Sequence, residues 1–145
     1  MPDIAALVAD AVRAPSSHNT QPWVFAARDG GVALLADRTR ALPVNDPHDR
    51  ELTISCGAAL FTLRLAARAR GLAERTRILP DPGAPDLLAV VELDGGAATA
   101  PGDAGMAGAI AARRTHRGPF RDEPVAPGLL ARMAAAAAAE GAGLE

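Results

Sequence analysis

The chain has 145 residues, enough for one domain of ordinary size, and 49% are nominally hydrophobic, but 35 are alanine and only 3% are aromatic. Core material is therefore thin, and a stacking platform for single-stranded nucleic acid is not expected. All 15 basic residues are arginine and the formal net charge is −2, which excludes lysine Schiff-base chemistry and a phosphate-loop lysine and argues against a nucleic-acid partner.

The first predicted element is a helix over residues 3–14, with Ile4, Leu7, Val8, Ala11 and Val12 at helical spacing, Asp3 as N-cap and Pro15 as the stop. Asp3 and Asp10 fall where a secretion signal would be basic and then apolar, and no run of about 20 apolar residues follows, so the chain is expected in the cytoplasm and off the membrane. Residues 15–22, Pro-Ser-Ser-His-Asn-Thr-Gln-Pro, can only be a loop. Trp23 to Arg28 and Val32 to Asp37 read as two strands around the Asp29-Gly30-Gly31 hairpin. Glu51 to Arg70 reads as the longest helix, with Leu52, Cys56, Ala59, Leu60, Leu63 and Ala67 on one side and Gly71 as its cap. Its Gly57-Ala58-Ala59 strip would let another helix or a ligand approach closely. Arg75 to Leu79 and Leu87 to Leu93 read as strands, the second buried because Leu87 to Val91 barely alternates. Residues 95–105 read as a linker and a boundary. Beyond it come a short helix, Met106 to Arg113, and an alanine-dominated helix, Pro127 to Glu140, whose packing must rest on Leu129, Leu130 and Met133. The chain stops at Glu145, where a new strand would start.

Two stretches carry chemistry. In the loop, Ser16, Ser17, Asn19, Thr20 and Gln21 offer neutral donors and acceptors between prolines that limit the entropy of ordering, a set suited to a heteroaromatic edge. The same composition also makes an ordinary turn. In the second stretch, Arg113, Arg114 and Arg117 surround Thr115 at a helix end, and guanidinium forks match phosphate oxygens. A solvated basic turn paired with Asp122 and Glu123 is the plainer alternative. Cys56 is a core residue by position and allows no internal disulfide, and His18, His48 and His116 lack metal-ligand spacing, so no metal is expected.

Together the two stretches resemble one family. Pro15 to Trp23 is similar to the PSxxNxQPW segment of FMN-dependent nitroreductases, and Arg113-Arg114-Thr115-His116-Arg117 is similar to their R-x-S/T-x-R/K segment. Ser55 to Phe61 with its alanine-rich helix resembles the central dimerisation helix. With Asp37-Arg38, Asp46-Pro47 and RRTHRGPF, the whole chain resembles most the actinobacterial, stress-associated tandem nitroreductase-like flavoproteins. The resemblance implies an α+β fold with an antiparallel-rich sheet and packing helices, FMN where two such units meet, and NAD(P)H as transient reductant for a nitroaromatic or quinone-type acceptor. It implies that Arg113 and Thr115 hold the phosphate with Arg114 nearby, and that Arg117 faces the N1/O2 side of the flavin. Ser16, Ser17, Asn19 and Gln21 would contact the ribityl chain and ring, with no catalytic acid, base or nucleophile.

In ordinary nitroreductases the arginine segment precedes PSxxNxQPW, and here the order is reversed. Residues 1–94 are accordingly expected to be a first unit without its own arginine segment, and residues 106–145 the opening of a second. A partial chain, or one that completes itself as a homodimer, would both give this pattern. Alternatives to an oxidoreductase are an FMN-sequestering stress protein without turnover and a fragment that holds no flavin tightly.

Overall fold

The structure is a computed structural model that describes residues 2–96, 99 and 102–144. They divide into two compact units, Met1–Thr115 and His116–Glu145. In the first, helix α1 (Ile4–Ala11) starts where the Asp3 carboxylate accepts the Ala6 N–H at 3.0 Å, and it buries Leu7 and Ala11. After the loop, strands β1 (Trp23–Arg28) and β2 (Gly31–Ala36) form the expected hairpin, with Gly30 at φ 69° in the turn. Gly31 admits no side chain, because a Cβ there would lie 2.0 Å from the Val91 carbonyl oxygen.

Helix α2 (Arg50–Ala69) carries the core. Asp46 caps it with both oxygens, Oδ1 accepting from Arg50 N–H and Oδ2 from Leu52 N–H, each at 2.9 Å. Gly71, at φ 71°, closes the other end as its N–H donates to the Arg68 carbonyl at 2.9 Å. Strands β3 (Leu72–Ile78) and β4 (Leu87–Gly95) complete a four-stranded antiparallel sheet of order β1-β2-β4-β3. Leu52, Cys56, Leu60 and Leu63 of α2 pack on Val32, Leu34, Ala89, Val91 and Leu93 of the sheet, with Leu7 and Trp23 joining them. This is the expected α+β architecture. Alanines fill much of the remaining core, at Ala11, Ala36, Ala59, Ala66, Ala67 and Ala89, so few large side chains hold the layers together. By length and a mean hydropathy of 1.2, α2 could cross a membrane, but its apolar side is the floor of this core.

Helix α3 (Asp103–Ala112) begins earlier than expected and packs on α2, with Ile110 against the core. It thus groups with the first unit, whereas the sequence placed it beyond a linker in a second. Residues 97, 98, 100 and 101 of that linker, and Glu145, lie outside the described residues. In the second unit, helix α4 (Pro127–Ala139) buries none of its described residues. Leu129, Leu130 and Met133, expected to supply its packing, remain exposed. Six consecutive alanines give it helical propensity and nothing to bury.

Candidate functional site

Residues 15–22 are held in a tight, strained turn. His18, Asn19 and Gln21 all take positive φ, at 50°, 57° and 49°, a region that non-glycine residues enter only when surroundings dictate it. The surroundings here are hydrogen bonds from within the loop and from α2. The Asn19 N–H donates to the Ser16 carbonyl, and the Ser16 hydroxyl accepts the Gln21 N–H at 2.9 Å. The Ser17 N–H donates to Ser55 Oγ at 3.1 Å and its hydroxyl donates to the Glu51 carboxylate. Arg40 donates to the Thr20 carbonyl at 3.1 Å, and the Cys56 thiol to that of Pro22 at 3.1 Å. Among the described residues, nothing hydrogen-bonds the side-chain amides of Asn19 and Gln21. Ser16 and Ser17 therefore shape the loop, while the side-chain amides of Asn19 and Gln21 are left without an internal partner.

Next to the loop a cleft of about 350 Å³ opens between α2 and α3, lined by Arg13, Pro15, Ala58, Phe61, Ile110 and Arg113 among others. A second, of about 280 Å³, is lined by Ser16, Ser17, Glu51, Ile54 and Ser55 and shares Pro15 and Ala58 with the first. The two make one trough along α2, in the size range of small-molecule sites. Its floor is apolar, one end carries hydroxyls and the Glu51 carboxylate, and the other end carries guanidiniums. Ala58, from the small-residue strip noted in the sequence, lies in the middle and leaves it open.

Arg113 stands at the cationic end, where one Nη donates to the Arg13 carbonyl at 2.9 Å and the other to Thr115 Oγ1 at 3.3 Å. Arg114 is exposed and donates to the carbonyls of Ala111 and Arg113. The fold thus gathers Ser16, Ser17, Arg113 and Thr115 within the first unit, from opposite ends of the chain. Arg117 belongs to the second unit, where it is exposed. There the His116 ring lies 5.0 Å from that of Phe120.

Glu51, Ser55, Arg40 and Arg13 were not singled out from sequence. The first three act as loop anchors, and only the tertiary fold brings them there. Other motif residues have structural duties. Arg38 bridges Asp86 at 2.7 Å and Asp49, tying the start of β4 to the cap of α2. A hydrogen bond from the Thr39 hydroxyl, with help from Arg40, holds the Asp37 carboxyl below its usual range despite partial desolvation.

No family model matches the sequence. Over 114 residues, 79% of the chain, it is 40% identical to a Mycobacterium tuberculosis protein named "Putative NAD(P)H nitroreductase acg". Over 131 residues, 90% of the chain, it is 38% identical to another from that organism, "Putative NAD(P)H nitroreductase Rv3131". The chain spans about a third of the length of these curated relatives, 34% and 38% respectively. Its fold matches that of a nitroreductase family protein from Streptococcus pneumoniae with a TM-score of 0.55, covering 81% of this chain and 84% of that one at 16% identity. The resemblance carried by PSSHNTQPW and RRTHR is thus borne out in the relatives' names and in the fold.

Proposed function

We propose that this chain is part of a nitroreductase-type flavoprotein that holds FMN in the trough along α2 and passes electrons from NAD(P)H to nitroaromatic or quinone-type acceptors in the cytoplasm. The observation that carries the reading is the meeting of the loop and Arg113 on one apolar trough. The donor set suits the cofactor. The loop that lines the trough with Ser16 and Ser17 also carries the amides of Asn19 and Gln21, which lie outside the trough lining and would have to turn toward it to meet the flavin's alternating carbonyl and N–H edge. Phe61 and Ala58 offer an apolar floor, and Arg113 with Thr115 offers donors to a phosphate. Bound there, the flavin would supply hydride acceptance and donation. The chain's own residues would bind it, orient it by charge and keep water from its apolar face. The trough is open on one side, and a second copy or a further part of a longer chain would close it.

The reading is tested by desalting the protein after reconstitution with FMN and recording its visible spectrum, then adding NADPH without air and afterwards a nitroaromatic. Retained colour, bleaching and recovery are expected. A colourless protein would contradict flavin binding, whereas retained colour without bleaching would leave a flavin-holding protein that does not turn over. Arg113→Ala should weaken FMN retention more than His116→Ala, and equal losses would contradict the phosphate assignment.

A further inference from the structure

The cationic end of the trough contains a residue that neither motif includes. Half of the arginines of the first unit face carboxylates: Arg38 faces Asp49 and Asp86, Arg40 faces Asp37, Arg64 faces Glu74, Arg68 faces Glu74 and Asp103, Arg70 faces Asp10 and Arg77 faces Glu92. Among the described residues Arg13 forms no ion pair, and neither does Arg113. These two line the same cleft, and the Arg113 guanidinium is held at the Arg13 carbonyl. Both arginines are exposed and border one apolar cleft without a carboxylate at ion-pair distance, which leaves that end of the cleft net positive and open to an anion.

The opposite end has the opposite sign. Glu51 lies there, held by the Ser17 hydroxyl. A ligand with a negative group at one end is therefore oriented, its charge toward Arg13 and Arg113 and its neutral hydrogen-bonding end toward the loop.

We propose that Arg13 is an anion-binding residue of the trough, acting with Arg113 on the phosphate monoester of a ligand whose planar body lies over Ala58 and Phe61. A monoester carries nearly two charges at neutral pH and so matches two guanidiniums better than one. The planar body rests on the flavin reading above, whereas the phosphate contact stands on the unpaired arginines alone.

FMN and riboflavin differ only in the phosphate, and their affinities can be compared in the full chain and its variants by flavin fluorescence. Arg13→Gln should weaken FMN about tenfold, the ordinary worth of one charge-assisted hydrogen bond, and leave riboflavin within about twofold. Arg13→Lys should recover part of the loss. Arg28→Gln, an unpaired arginine of β1 outside the trough, should change neither. Equal weakening of both flavins, or an unchanged FMN affinity, overturns the proposal. A second arm needs no flavin. Phenyl phosphate should raise the melting temperature of the wild type through mass action, and Arg13→Gln should lose that rise while melting normally without ligand. If no flavin binds but phenyl phosphate acts through Arg13, the flavin reading falls and the anion site stands. A phenyl phosphate effect that is absent, or indifferent to Arg13, overturns the anion site.

Discussion

Asp46 is 7% exposed, and burial alone would favour its neutral form. The backbone N–H groups of Leu52, Glu51 and Arg50 outweigh that burial and hold its pKa below the usual carboxylate range. Glu74 behaves alike. Burial opposes its charge, but the Thr76 hydroxyl at 2.6 Å and the guanidiniums of Arg64 and Arg68 win, and its pKa is lowered. For both groups the folded-state pKa is below the unfolded value. Their stabilisation is therefore present above the unfolded carboxylate pKa, about 4, and is lost as pH falls through the lower folded value. Glu74→Gln should flatten the loss of melting temperature below pH about 4, and a melting curve as steep as the wild type's would contradict this. Burial pushes the Cys56 thiol up to about 11, so it should resist alkylation at pH 8 until the protein unfolds. The core position of Cys56 was legible from helical spacing alone. The engagement of Ser17 was not, since its partners Glu51 and Ser55 lie 34 and 38 residues further on.

Little in the sequence of α3 favours a stable helix. Its ten residues include Gly105 and Gly108, and apart from Ile110 they offer few large side chains to the core. Charge attaches its start. The Arg68 guanidinium lies between Glu74 of β3, at 3.1 Å, and Asp103 of α3, at 3.4 Å. Asp103 Oδ2 is buried with no hydrogen bond, so Arg68 is what compensates its charge. Asp103→Ala should raise amide hydrogen exchange throughout α3 while leaving α2 and the sheet protected. Exchange that is unchanged in α3 would show that apolar contacts suffice to hold it. By contrast, Leu63→Ala at the centre of α2 should cost about 3 kcal/mol, as large-to-small core changes do. The four strands and α2 were legible to within a few residues because alternation, helical spacing, Asp-Gly and Gly71 act locally. The affiliation of α3 was not, since a glycine- and alanine-rich stretch reads as a linker whether or not a distant arginine holds its end.

Over the whole molecule the two units differ in kind. The first has a sheet and a helix sharing one core, while the second, among its described residues, buries nothing. Between α3 and α4 the chain runs exposed through Arg114, Arg117 and Arg121 without regular structure. Trypsin should cut there before it reaches Arg64 or Arg68, which lie in α2 with their side chains in ion pairs. First cuts inside α2 would contradict the division. The two motifs of the proposed site were legible, and the meeting of the loop and Arg113 along α2 was not, because it depends on the docking of α3. The most direct measurement is a backbone amide chemical-shift titration of the full chain with FMN. The trough account predicts shifts at Arg13, Ser16, Ser17, Ala58, Phe61, Ile110 and Arg113. Shifts confined to the opposite side of α2, at Gly57, Ile78, Leu79 and Leu88, or no shifts at all, would contradict it.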